Sequence, residues 1–177
     1  MLPLELLIEK ATTWVSKARA TYRPSASPLT PDVVLLLRPY FEPSILESAR
    51  VLVVPELPNP PFYFDLVASG VSALIDFSVM DGLTLIDTIL VANHPSRLLP
   101  DTFPPLLFHE LVHVTQYSHV GTAGFLDAYV RGWDRNGRNY RHIPLEEQAY
   151  ALQARFEREY PIPFSVSSIV RASQATT

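Results

Sequence analysis

The stretch LLFHELVHVTQY, Leu106 to Tyr117, sets His109, Glu110 and His113 among residues that are mostly apolar. On an α-helix each residue advances by about 100°, so His113 lies about 40° from His109 and Glu110 about 100° from it. The two imidazoles then stack on one face, a turn apart, with the carboxylate at their flank. Leu107, Phe108, Leu111, Val112 and Val114 fill the rest of the circumference. A helix that is apolar all round is a buried one. Burying two imidazoles and a carboxylate is costly unless something compensates them.

A metal ion compensates them. Neutral imidazoles at i and i+4 converge on one zinc, and the carboxylate beside the first is then placed to act on water as a general base, the HExxH arrangement. The competing explanation is a pair of core histidines bonded to backbone carbonyls, with Glu110 at the helix edge. A catalytic zinc has three protein ligands and an open fourth position. With no cysteine in the chain, the third must be a histidine or a carboxylate.

Three candidates lie downstream. His119 is turned about 240° from His113 on a continuing helix and points away. His142 sits in the polar stretch DRNGRNYRHI and could reach the site as a ligand or as an oxyanion donor. The pair Glu146-Glu147 opens the helix PLEEQAYALQARFEREY, where acids ordinarily offset the helix dipole. On that helix Leu145, Ala149, Leu152 and Phe156 fall within about 60° of one another and define the apolar stripe. Glu146 lies about 90° from the middle of the stripe, at its border, and Glu147 about 170° away. Glu146 is therefore the expected third ligand and Glu147 a solvent-facing neighbour.

Other elements must position these groups. Leu4, Leu7, Ala11, Trp14, Val15, Ala18 and Tyr22 repeat at helical spacing from Pro3 to about Tyr22. Thr30-Pro31-Asp32 is a helix start, and Pro43 to Ser48 adds a further turn or two. ARVLVVP is a compact β-branched run, a buried strand, and PELPNPPF a proline-stiffened loop. Asp81-Gly82 lies between ALIDFSVM and LTLIDTILVA, and this dipeptide predicts a hairpin turn joining two strands. NHPSRLLPDTFPP is loop, with Pro104 and Pro105 in the first turn of the HELVH helix. Gly121 and Gly124 bracket a break before a second helix, TAGFLDAYVRGW, and Pro161-Ile162-Pro163 ends the third. The expected architecture is one α+β domain over 1–164: helices over 1–48, strands over 49–92 and the metal-site helices over 103–160. Residues 165–177 are expected to be a frayed tail.

HELVH followed by EEQAY, with Glu146 and Ala149 on the first and fourth positions of E-x-x-A-D, resembles the gluzincins, zinc metallopeptidases of HExxH-plus-Glu type. GLTLIDTILV and HELVHVTQY are most similar to small, uncharacterised bacterial metallopeptidase-like domains of that group. The resemblance spans roughly 79–156. It implies a zincin-like fold, a small mixed sheet with an antiparallel edge strand beside a buried active-site helix, in a mostly helical chain. It also implies one Zn2+ per chain held by His109, His113 and Glu146, with Glu110 as general base in peptide hydrolysis. Thr84 to Ala92 would be the substrate edge strand, presenting Thr84, Ile86 and Thr88. Tyr140, His142 and Tyr150 are candidates for stabilising the oxyanion. Tyr150 stands where many relatives carry an acid that braces a ligand histidine, so that role falls to Asp127 or a backbone carbonyl.

Composition sets the outer bounds. The 177 residues are 47% hydrophobic with a net charge of −4, enough to bury a core and without the basic footprint of a nucleic-acid binder. Glu5 and Glu9 interrupt what would otherwise be a signal-like start, and no apolar run reaches the ~18 residues of a membrane span. The expected location is cytoplasmic, with a peptide or protein as substrate and no constraint on oligomeric state. A zinc-stabilised binding or scaffold domain without peptidase activity is the alternative function.

Overall fold

A computed structural model describes residues 3–94 and 103–174. In chain order it contains α1 (Leu4–Tyr22), β1 (Ser27–Pro28), α2 (Pro31–Leu37), α3 (Pro43–Ser48), β2 (Arg50–Val54), α4 (Tyr63–Ala68), β3 (Gly82–Leu85) and β4 (Thr88–Ala92). These are followed by α5 (Phe103–Arg135), α6 (Pro144–Glu159) and α7 (Val166–Gln174). The fold is mixed α+β and mostly helical. Most of the loop predicted over 93–105 lies outside the described residues. Among the described residues no helix is long and apolar enough to cross a membrane.

The four strands lie in the order β1-β2-β4-β3. β2 runs parallel to β4, with Arg50 opposite Thr88 and Val54 opposite Ala92, while β1 and β3 pair antiparallel on either side. ARVLVVP forms a strand as expected, β2, whereas LTLIDTILVA, expected as one strand, supplies most of β3 and all of β4, and β4 is buried over Thr88–Val91. Its alternation divides the core. Ile89 and Val91 pack with Phe108, Leu111 and Val112 of α5. Leu90 packs with Ala11, Val15 and Ala18 of α1 and with Phe125 and Leu126 of α5. The helix α5 serves both clusters because it breaks at Gly121 (φ 70°, ψ 171°), where the sequence placed a break. Glycine takes this left-handed, non-helical conformation without the clash a side chain would bring.

Three expectations need correction. ALIDFSVM is not a strand: Ala73 has φ 57° and Phe77–Val79 form a 3₁₀ turn. The Asp76 carboxylate accepts from Asn59 Nδ2 (2.7 Å), Ser78 N (3.0 Å) and Ser78 Oγ (2.6 Å). Side-chain bonds of this kind satisfy the backbone locally and compete with a ladder. The hairpin exists, but it turns at Ile86-Asp87, joining β3 to β4, while Gly82 opens β3. Ile86 sits at φ 67°, unfavourable for a β-branched residue. The turn is anchored from outside: Asp87 accepts from Arg19 Nε and Nη2 at 2.7 Å each and pairs with Arg23 at 2.8 Å. Finally, residues 166–174 of the expected frayed tail form α7. Val166 and Val170 are fully buried in the cluster around Phe108, and Val166 N donates to Tyr40 O at 3.0 Å. Their i, i+4 spacing was a helical signal.

Candidate metal centre

The first half of α5 buries its three polar groups as its wheel requires: His109, Glu110 and His113 are 5%, 4% and 5% exposed, and Glu146 on α6 is 3% exposed. His109 Nε2 and His113 Nε2 are 3.1 Å apart, and Glu146 Oε2 lies 3.3 Å from the first and 3.4 Å from the second. Four ligands at ~2.0–2.1 Å from a tetrahedral zinc are separated by about 3.3–3.4 Å. The three atoms thus stand at nearly the spacing of one tetrahedral face. Among the described residues these three form the group able to hold a metal ion; Glu110 is not part of it.

The surrounding hydrogen bonds fix which atoms carry protons. Gln116 Nε2 donates to Leu145 O (3.0 Å) and to Gln148 Oε1 (2.9 Å), so its amide oxygen faces His113 Nδ1 at 2.8 Å and must accept. His113 therefore carries its hydrogen on Nδ1, and in the neutral ring Nε2 offers a lone pair to the site. Glu146 accepts at both oxygens, from Tyr129 Oη at 2.8 Å and Tyr140 Oη at 2.9 Å. His113 Nε2 and Glu146 Oε2 are thus acceptors converging with His109 Nε2, and only a proton or a cation reconciles them.

Electrostatics says the same. Burial pushes the Glu146 carboxyl up, but the two imidazoles outweigh it by charge and hydrogen bonding and hold it well below the usual carboxylate range. Burial would lower His113, yet the charge and hydrogen bond of Glu146, then Glu110 and Gln116, raise it to about 9. Both shifts favour a positive charge beside the Glu146 carboxylate, and a divalent cation can supply it in place of a proton.

Glu110 is held from the other side. Thr84 Oγ1, on β3, donates to Glu110 Oε2 at 2.6 Å, with the Glu110 carbonyl oxygen 3.1 Å away. Gly82 lies against the same carboxylate: a Cβ there would overlap Oε1 and come within 2.8 Å of Cδ. Burial raises the Glu110 carboxyl, against the lowering effect of both imidazoles and of Thr84.

The remaining predicted residues are sorted by these contacts. Tyr140 reaches the centre, bonded to Glu146. Tyr150 packs its ring on His109 at 4.5 Å between centroids. His142 does not reach the centre: it is exposed and pairs with Glu147 at 3.1 Å. Asp127 braces no histidine, since its carboxylate pairs with Arg131 at 2.8 Å. Thr84 lies on β3, which is an edge strand, but Ile86 is in the turn and Thr88 on β4, between β2 and β3. A single edge strand from Thr84 to Ala92 is therefore wrong, because the chain reverses within it. Sequence reasoning gave Gln116 no role, although it stands in the HELVHVTQY stretch, and missed Tyr129. Gln116 follows His113 by three residues, the spacing that brings side chains together on one helix face, and so was detectable; nothing local marks Tyr129.

No protein-family model, no curated protein and no solved structure matches this chain.

Proposed function

We propose that the chain is a zinc-dependent peptide hydrolase with a zincin-like site of the HExxH-plus-Glu type. The observation that carries this reading is the buried convergence of His109, His113 and Glu146 with Glu110 immediately beside them. The donor set fits zinc: two imidazoles and one carboxylate suit a borderline-soft ion, and three protein ligands are characteristic of catalytic sites. Bound there, zinc would supply Lewis acidity toward a carbonyl oxygen and a water of lowered pKa. Gln116 holds His113 in the tautomer that leaves Nε2 free, and Tyr129 and Tyr140 hold the Glu146 carboxylate. Glu110 takes the proton from the attacking water and passes it to the leaving amine. Thr84 and Gly82 keep that carboxylate in place. Of the three oxyanion candidates only Tyr140 has its hydroxyl at the centre, and its one proton would have to turn from Glu146 Oε2 to serve an oxyanion.

Elemental analysis of protein purified without added metal should give one zinc per chain, lost in His109→Ala and in His113→Ala. A folded wild type that holds no zinc and takes up none would overturn the proposal. Zinc binding with no hydrolysis of any peptide in a broad library would instead establish the scaffold alternative. Gly82→Ala should retain zinc and lower hydrolysis by about 10-fold or more, because displacing a positioned catalytic group by about 1 Å can cost ~10²-fold. Wild-type rates in that variant would show that Glu110 does not act from this position.

A further inference from the structure

A cavity of about 130 Å³ opens beside the metal centre, bounded by Glu110, His113 and Glu146 together with three parts of the chain remote from them. Ala11 and Trp14 come from α1, Phe62 and Phe77 from the segment before β3, and Phe125 and Trp133 from the second half of α5. Among the described residues its charged side chains are those of the centre itself, and no Lys, Arg or Asp lines it. The carboxylates there are engaged, Glu110 by Thr84 and Glu146 by the two tyrosines. The cavity's volume is a little below the ~150 Å³ of an apolar cavity that holds a benzene ring, and such walls favour an uncharged, apolar guest over a charged one.

We propose that this chamber receives a large apolar side chain, aromatic or branched aliphatic, of the residue flanking the bond that the centre acts on. The inference rests on the hydrolase reading for its scissile bond, and on the cavity walls for its choice of side chain. It gives α1 and residues 60–80 a role in recognition. A pocket of this kind discriminates by ~10–200-fold per methylene-sized difference, so phenylalanine over alanine should exceed that lower bound.

Two experiments test it. The chain's two tryptophans, Trp14 and Trp133, both line the chamber, so their fluorescence reports its occupant. N-acetyl-phenylalaninamide at millimolar concentration should change the emission of both metal-free and zinc-loaded protein saturably, and N-acetyl-alaninamide should not. Ala11→Phe, which fills the chamber from α1, should abolish the response while circular dichroism and zinc content stay as in wild type. In a peptide-library digestion, which needs no variant, cleavages should gather beside Phe, Tyr, Leu, Ile or Met at one fixed position relative to the broken bond. Equal responses to the two probes, or cleavage with no such preference or with one for Lys or Arg, would overturn the inference and leave the hydrolase reading intact. Selective binding of the phenylalanine probe by a protein that cleaves nothing would overturn the hydrolase reading and support the chamber's selectivity.

Discussion

Glu110→Gln is expected to keep its zinc and to lose hydrolysis by about 10²-fold or more, the usual contribution of a positioned general base. Gln matches Glu in shape, and its amide oxygen can still accept from Thr84 Oγ1, which now donates at 2.6 Å. The buried position therefore stays filled and hydrogen-bonded, and the α5–β3 packing has no reason to change. What is lost is the ability to take up a proton. Zinc should be indifferent, because the atoms able to hold a metal are those of His109, His113 and Glu146, and Glu110 is not among them. Zinc stoichiometry and kcat/KM on one peptide, measured on the same preparation, check both halves. Metal lost along with activity would mean that Glu110 is a ligand, and full activity with metal retained would remove it from the chemistry.

Glu146→Ala should weaken zinc binding by more than ~10²-fold, whereas Glu147→Ala should leave it nearly unchanged. Loss of a residue that merely orients a ligand already costs 10–100-fold in affinity, and Glu146 is placed as a ligand itself, 3.3 and 3.4 Å from the two Nε2 atoms. Its removal also strands the hydroxyls of Tyr129 and Tyr140 and leaves two imidazoles without their counter-charge. Glu147 is one residue away and faces the opposite environment. Its side chain is 55% exposed and pairs with His142, a surface pairing of the kind worth ~0–1 kcal/mol. Competition against a fluorescent zinc chelator reads both variants on one scale. Equal losses would mean that the start of α6 is rotated from the position described, and a loss confined to Glu147 would exchange the two roles.

Much of the centre was legible in the sequence because it depends on local periodicity. The 100° step of a helix puts His109 and His113 on one face whatever surrounds them, and the apolar stripe of α6 distinguishes Glu146 from Glu147 without any knowledge of α5. The break at Gly121, the proline starts of α2, α3 and α6 and the β-branched strand β2 are local in the same sense. Other features were settled by residues far apart in the chain. The hairpin turns at Ile86-Asp87, not at the stronger turn dipeptide Asp81-Gly82, where Arg19 and Arg23 of the N-terminal region grip Asp87. Residues 166–174 fold down because Val166 and Val170 find places beside Phe108. The supports of the candidate metal centre are of this kind too. Tyr129 meets Glu146 across 17 residues and Thr84 meets Glu110 across 26, and the chamber joins Trp14 to Trp133. Periodicity fixes the direction of a side chain around its own helix axis, but which neighbour stands in that direction depends on how the helices cross and where the sheet places them, and only the packed core decides that.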